Sequence, residues 1–262
     1  MVILCVGDIC GRPGRAAVRE AVGVLREELR ADFVIANAEN AAAGFGVTAD
    51  IVADLLNSDI DCLTTGNHCW AQKASYETYD RESRLLRPAN YPPGAPGRGR
   101  GVYEAESGAR IGVLNLGGRI FLEPIDCPFR QADVEIEHLR SETDVIIVDF
   151  HAEATSEKQA FAFYVDGRVS AVIGTHTHVQ TADEHILPGG TAYITDMGMT
   201  GARRSVIGVT PEAAIELFLR RLPMRLEPPK SGAWMLQGVC LHIDEATGKA
   251  QHVERIFRAE EE

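Results

Sequence analysis

The chain has 262 residues, of which 45% are hydrophobic and 24% charged, and its formal net charge at pH 7 is −12. This composition is typical of a globular protein with a full hydrophobic core, and it excludes extensive disorder. The acidic excess argues against stable binding to long nucleic acids or anionic membranes. A small phosphate ester is still compatible, because bound cations can reverse the sign of a local field.

The cysteine pattern and the N-terminus both bear on the expected compartment. The six cysteines include no CxxC pair and no close disulfide-type spacing. The first residues lack the pattern of a signal peptide, and nowhere are there about 18 consecutive apolar residues. We therefore expect a cytoplasmic protein with reduced thiols and no membrane insertion.

Strand and helix patterns alternate in the N-terminal quarter of the chain. Residues 2–6 form an apolar run typical of a buried strand, and apolar residues then recur at helical spacing over residues 18–29. A second strand is predicted over residues 32–37, followed by a helix capped by Thr48 and a third strand over residues 62–65. This β-α-β-α-β order predicts a parallel sheet with helices on its faces.

The remaining chain combines a loop, further strands and helices. Residues 87–99 are rich in proline and glycine and predict a surface loop. Strands are predicted over residues 102–105, 111–116, 144–149, 169–173, 181–187, 191–195, 234–243 and 250–257. Helices are predicted over residues 129–140, 156–165 and 210–221, with Ser156 and Thr210 as N-caps. One domain over residues 1–262, with two mixed sheets packed together and helices outside, accommodates this order.

Residues of metal-ligand type follow five of the predicted strands. In chain order they are Asp8, then Glu39 and Asn40, then Asn67, then His151, and finally His176 and His178. Ligand sites in α/β sheets lie at the carboxyl ends of strands, so we expect these side chains to meet. An extended backbone has a side-chain period of two, which would point His176 and His178 to the same side.

The candidate ligands mix hard oxygen donors with imidazoles. Seven protein ligands are too many for one tetrahedral zinc ion, and thiolates are nearly absent, so two metal ions sharing a carboxylate fit better. Two such ions, roughly 3.5–4 Å apart, would hold an attacking hydroxide and clamp the oxygens of a phosphorus centre. His68, next to Asn67, is then the candidate general acid for the leaving alkoxide.

The order of these motifs resembles that of the calcineurin-like metallophosphoesterases, and more narrowly of their YmdB-type bacterial branch. The matching elements are Gly7-Asp8, Asn37-Ala38-Glu39-Asn40, Gly66-Asn67-His68, His151 and Gly174-Thr175-His176-Thr177-His178. The resemblance implies a four-layer α/β/β/α sandwich, a dinuclear iron or manganese centre and phosphodiesterase activity on 2′,3′-cyclic nucleotides. It further implies that Glu39 bridges one metal held by Asp8, Asn40 and His178 and a second held by Asn67, His151 and His176.

The chain departs from the wider superfamily at three positions, and these departures leave alternatives open. Cys10, Glu39 and Cys69 stand where the superfamily usually has a histidine, an aspartate and an acid. Glu39 and the missing histidine agree with the narrower branch, whereas Cys10 is compatible with either an inert buried thiol or a thiolate contact to the metals. Alternative functions are a phosphomonoesterase, a mononuclear amide hydrolase and a non-catalytic metal- or nucleotide-sensing module. A homo-oligomer is also left open.

Overall fold

The structure is a computed structural model that describes residues 1–105 and 107–260. Within these ranges the strands are β1 Val2–Val6, β2 Asp8–Ile9, β3 Phe33–Asn37, β4 Cys62–Thr64, β5 Arg100–Glu104, β6 Arg110–Gly117, β7 Ile146–His151, β8 Ala171–Thr175, β9 His185–Ile186, β10 Ala192–Ile194, β11 Met199–Ala202, β12 Trp234–Ile243 and β13 Ala250–Ala259.

The α-helices are spread along the chain between strands. They are α1 Gly11–Ala17, α2 Gly23–Leu29, α3 Ala49–Leu56, α4 Tyr76–Arg81, α5 Pro128–Arg140, α6 Thr155–Val165 and α7 Pro211–Arg220. A π-helical turn, Val18–Val22, joins α1 to α2, and a 3₁₀ turn, Lys73–Ser75, precedes α4. Not one helix of the described ranges combines the length and apolar character that crossing a bilayer requires.

The strands form two mixed sheets. The first sheet has the order β2-β11-β12-β1-β3-β4, with β13 paired to β12, and the second has the order β5-β6-β7-β8-β10-β9. In the first sheet β1, β3 and β4 run parallel, as the β-α-β-α-β pattern predicts. In the second sheet β6, β7, β8 and β10 run parallel. Each sheet therefore gathers the carboxyl ends of its parallel strands at one edge.

Three hydrophobic cores separate four layers. Leu4 and Val6 of β1 pack with residues of α1, α2 and α3, whereas Ile3 and Cys5 of the same strand pack with residues of the second sheet. The opposite face of the second sheet buries Phe150 against residues of α5 and α6. A strand that is apolar on both faces reflects burial on both faces, and the expected α/β/β/α sandwich is confirmed.

Local differences from the sequence predictions have identifiable causes. The predicted first helix contains the π turn Val18–Val22, an insertion of one residue that the apolar spacing alone does not reveal. Helix α6 begins at Thr155, so Ser156 lies inside the helix and not at its N-cap. Thr210 does stand at the N-cap of α7, but its side chain makes no capping hydrogen bond.

The predicted surface loop is buried at its beginning. Residues 87–90 are buried, and residues 87 and 90 among them carry polar side chains. The Arg87 guanidinium donates hydrogen bonds to the carbonyls of Pro88, Ala95 and Pro96, and the Asn90 amide donates to the Gly117 carbonyl. Burial is tolerated here because these polar groups have hydrogen-bond partners. The proline and glycine content of the segment does not reveal those partners.

Candidate metal centre

The two sheets contribute different kinds of ligand to one site. Oxygen donors come from segments that follow the parallel strands of the first sheet, namely Asp8, Glu39, Asn40 and Asn67. Imidazoles come from the second sheet: His151 ends β7, and His176 and His178 follow β8. The predicted gathering of strand ends therefore occurs across the junction of two sheets, which brings hard oxygen and nitrogen donors together.

The two histidines after β8 do not lie on the extended backbone that was predicted for them. Strand β8 ends at Thr175, and both His176 and His178 have positive φ values, 97° and 62°. Such backbone is rare for residues other than glycine, and it marks a strained loop of the kind found at functional sites. The period-two extended backbone is therefore wrong for this segment, and the loop directs the two rings into two different groups of ligands.

The first ligand group surrounds the Nε2 atom of His151. This atom lies 3.0 Å from Asn67 Oδ1, 3.0 Å from His176 Nδ1 and 3.1 Å from Glu39 Oε2. The other ring nitrogen of His176 lies 3.0 Å from Glu153 Oε2, which can accept its N–H and leave the Nδ1 lone pair facing the group. Carboxylate, amide and imidazole acceptors thus converge on one space, an arrangement that a cation stabilises.

The second ligand group contains Asp8, Glu39, Asn40 and His178. His178 Nε2 lies 3.1 Å from Asn40 Oδ1 and 3.9 Å from Asp8 Oδ1, while its Nδ1 is 2.8 Å from the Ile207 carbonyl. Among the described residues, Asp8 Oδ1 is a buried oxygen with no hydrogen-bond partner. An orphaned buried carboxylate oxygen beside an imidazole is a signature of a cation site.

The protonation states at this centre fit metal binding. Burial and the neighbouring His151 lower the pKa of His176 to about 3, and burial lowers the pKa of His178, so both rings are neutral near pH 7, as metal ligands must be. Burial and the charges of Asp196 and Glu39 raise the pKa of Asp8 well above its ordinary value. A bound cation would reverse that effect and ionise Asp8. The residues present therefore fit two cations that share Glu39.

His68 lies at the rim of this centre. Its Nδ1 is 3.1 Å from Asn40 Nδ2 and 3.5 Å from Glu39 Oε1, and its side chain is 31% exposed. Burial by itself lowers the pKa of His68, but hydrogen bonding to Glu39 and the charge of Glu39 raise it above the ordinary value. His68 lines a cavity of about 290 Å³ together with Glu39, Asn40, Glu153, His176, Thr177, His178 and Ile207. It is thus placed beside the ligand groups and open to a substrate.

Cys10 follows Asp8 by two residues, and its thiol faces a backbone carbonyl. The side chain is buried, and its Sγ lies 3.9 Å from the Gly208 carbonyl. Burial, with the charges of Asp8 and Glu39, raises the pKa of the Cys10 thiol to about 12. A protonated thiol with a carbonyl partner agrees with the inert interpretation.

Several supporting residues were missed by the sequence analysis. Glu153 contacts His176, and the buried carboxylate of Asp149 lies behind the imidazoles. The buried Lys158 ammonium donates to the Thr175 carbonyl and to Asp196 Oδ2, at 2.7 and 2.8 Å. The sequence does contain one signal for such a residue, namely the charged Asp149 inside an otherwise apolar strand. Burying an ionised group without partners is costly, so a charge at such a position indicates buried hydrogen-bond partners.

Comparison with known proteins agrees with this geometry. The fold matches that of the calcineurin-like phosphoesterase YfkN from Bacillus subtilis, with a TM-score of 0.59 at 13% identity over 99% of this chain and 90% of that chain. A hypothetical protein from Thermus thermophilus matches with a TM-score of 0.93 at 39% identity, and the match covers 100% of both chains. The 2′,3′-cyclic-nucleotide 2′-phosphodiesterase of Bacillus subtilis (strain 168) is 48% identical over 98% of this chain and 97% of its own length. A family model described as YmdB-like protein matches residues 4–256. The chain therefore belongs to the YmdB-like family.

Proposed function

We propose that this protein is a dinuclear metal-dependent phosphodiesterase that hydrolyses 2′,3′-cyclic nucleotides or similar small phosphodiesters. The observation that carries the proposal is the pair of ligand groups that share Glu39, Glu39–His151–His176 and Asp8–Glu39–His178, at the wall of an open cavity. The substrate class is supported by the name of the Bacillus subtilis relative. A single tetrahedral metal ion takes four ligands and would leave three of the seven candidate ligands without a role.

The residues divide between two ions. Asp8, Asn40 and His178 would hold one ion and Asn67, His151 and His176 the other, with Glu39 contributing to both. The mixture of carboxylate, amide and imidazole donors suits iron or manganese, and we propose one of these in the cell. When bound, such ions lower the pKa of water and neutralise charge that develops on phosphate oxygens.

The protein's own side chains orient the reacting groups and move a proton. The Asn40 amide is fixed because its nitrogen donates to the Gly44 carbonyl at 2.8 Å, which aims Oδ1 at the His178 ring. His68 faces the same cavity and is the proposed general acid, donating a proton to the leaving alkoxide. Its contact with Glu39 favours the protonated form that this role needs.

The free cysteines and the net charge indicate a cellular compartment and a class of binding partner. All six cysteines are free, and four of them belong to the hydrophobic cores between the layers. We propose a cytoplasmic location, because free thiols persist in a reducing compartment. The chain has a net charge of −12, so we propose a small phosphate ester as the partner and not a long nucleic acid. The positive field of bound cations would be confined to the metal site, where only a small anion fits.

A substrate panel on metal-quantified protein tests the function. The protein would be reconstituted with manganese or iron and assayed with 2′,3′-cyclic nucleotides, a bis-aryl phosphate and mononucleotides. We expect faster hydrolysis of the diesters than of the monoesters, and no hydrolysis after chelation. Faster phosphate release from monoesters would instead establish a phosphomonoesterase. Tight nucleotide binding without turnover of any ester would establish a sensing module.

A further inference from the structure

The space behind the imidazoles contains a carboxylate that no ligand group uses. Asp149 of β7 is completely buried, and its oxygens accept hydrogen bonds from Asn37 Nδ2 at 3.0 Å, from the Thr64 hydroxyl and from the Thr175 hydroxyl at 2.7 Å. Asn37 and Thr64 belong to the first sheet, whereas Asp149 and Thr175 belong to the second. One carboxylate therefore connects both sheets directly behind the candidate metal centre.

The Thr175 hydroxyl extends this connection to a proposed metal ligand. Thr175 Oγ1 lies 2.9 Å from His151 Nδ1, on the side of the ring opposite to the ligand group. A hydroxyl has one proton, and if it donates that proton to Asp149, its oxygen can only accept from the imidazole. His151 then carries its proton on Nδ1 and turns the lone pair of Nε2 to the space shared with Asn67 and Glu39, where a cation would separate the three acceptors.

The same arrangement is repeated by different partners at the other two histidines. His178 Nδ1 faces the Ile207 carbonyl and His176 Nε2 faces the Glu153 carboxylate. Each of the three rings therefore has an acceptor on its far nitrogen, but only at His151 is that acceptor a hydroxyl. A hydroxyl could direct the ring either way, so the buried carboxylate behind it decides the tautomer.

The donors around Asp149 favour this direction of hydrogen bonding. The Asn37 amide nitrogen can only donate, and it approaches the same oxygen as the Thr64 hydroxyl. The carboxyl group is thus surrounded by donors on both oxygens.

We propose that Asp149 is a positioning residue that acts through the Thr175 hydroxyl to fix His151 in the Nδ1–H tautomer, with Nε2 free for metal. The inference rests on the proposed function only in that Nε2 is taken to bind a metal. In the metal-free protein the acceptors around Nε2 compete for the same proton, so the tautomer is tested with a metal ion bound.

Nuclear magnetic resonance of ¹⁵N-histidine protein, reconstituted with zinc as a diamagnetic ion, tests the tautomer directly. The two-bond proton–nitrogen correlations distinguish a protonated Nδ1 from a protonated Nε2, and the signals of His151 are assigned by their loss in His151→Gln. We expect the proton on Nδ1. A proton on Nε2 in the wild type overturns the proposal without the need for any further variant.

Thr175 variants test the route from Asp149 to the ring. Thr175→Val removes the hydroxyl at nearly constant volume, and we expect a mixture of His151 tautomers and a loss of metal affinity of about 10- to 100-fold in competition with a chelator. Thr175→Ser should restore both properties. The matched control is Thr191→Val, which removes another fully buried hydroxyl, bonded to the Val169 carbonyl at 2.7 Å.

The outcomes separate this proposal from the proposed function. Wild-type tautomer and affinity in Thr175→Val, or an equal loss of affinity in Thr191→Val, would show that Thr175 is an ordinary buried residue and overturn the positioning role. A wild-type protein that binds zinc and shows the Nδ1–H tautomer, but hydrolyses no phosphate ester with any metal, would contradict the proposed function and leave the positioning of His151 intact.

Discussion

Two adjacent residues of one loop have different proposed roles. Asn67 Oδ1 lies 3.0 Å from His151 Nε2 within a ligand group, whereas the neighbouring His68 ring faces the cavity. A ligand and a general acid respond differently to removal. Losing a ligand lowers metal occupancy, but losing the acid affects only reactions whose leaving group needs a proton.

For His68→Ala we expect both metals to be retained. The rate on a substrate with a poor alkoxide leaving group should fall by about 10²- to 10⁴-fold, the usual contribution of a positioned general acid. The loss should be much smaller for a nitrophenyl ester, because nitrophenolate leaves without protonation. The measurement is kcat for both substrates on protein of known metal content.

Two further variants serve as references for His68. Asn67→Ala should lower metal occupancy and activity together, and His138→Ala, in the exposed part of α5, should change neither. Equal losses on the two substrates, or metal loss from His68→Ala, would show that another group is the acid.

Gly66 precedes Asn67 and His68 at a position that has no room for a side chain. A methyl group at this position would overlap the side chains of both His151 and Glu39. We therefore expect Gly66→Ala to displace two proposed ligands and to lower metal content while far-ultraviolet circular dichroism stays native. An alanine variant with the full metal content of the wild type would mean that Glu39 and His151 do not bind where we place them.

At the scale of elements, the loop after β8 is held by a buried charge pair between Lys158 of helix α6 and Asp196, which follows β10. The Lys158 ammonium contacts the Thr175 carbonyl, and Asp196 Oδ2 accepts hydrogen bonds from Lys158 and from the Thr177 amide. Both charged side chains are completely buried. The backbone of the strained loop at His176 and His178 is therefore fixed by partners from outside the loop, which offsets its unfavourable φ values.

Lys158→Met should destabilise the protein strongly, because it leaves the Asp196 carboxylate buried without its counter-charge. We expect a loss of about 3–5 kcal/mol in the free energy of unfolding, measured by urea denaturation of the metal-free protein. The matched control is Arg81→Met, which removes an exposed pair with Glu77 and should have little effect. Equal stabilities for the two variants would refute the structural role of the buried pair.

At the scale of the whole molecule, the two sheets are joined at the candidate metal centre by ligands from both. Oxygen donors from the first sheet and imidazoles from the second would bind the same ions, so the ions would also crosslink the sandwich. Without cations, the acceptor groups around His151 Nε2 and the orphaned Asp8 oxygen oppose close packing.

Protein purified without chelator should therefore contain nearly two transition-metal equivalents per chain, by elemental analysis. Chelation should lower the melting temperature, and added manganese should restore it, because a ligand at 100 times its Kd stabilises a fold by about 2.7 kcal/mol. A single zinc ion per chain, with no second ion after reconstitution, would rule out the dinuclear centre.

The sequence by itself determined the layers and the set of candidate ligands. Apolar runs such as Val2–Val6 predict strands buried on both faces, and Phe33–Asn37 extends the pattern to the next strand of a parallel sheet. Ligand-type residues at strand ends then predict a common site, because parallel strands bring their carboxyl ends to one edge. These inferences depend on local periodicity, which the chain displays directly.

Only the tertiary structure decided how the ligands are shared and supported. The left-handed backbone at His176 and His178 sends their rings to different groups, and it persists because Lys158 and Asp196 hold it from elsewhere in the fold. The link from Asp149 through Thr175 to His151 likewise joins residues of two neighbouring strands, β7 and β8. Such contacts depend on strand order and register, which no local pattern in the sequence encodes.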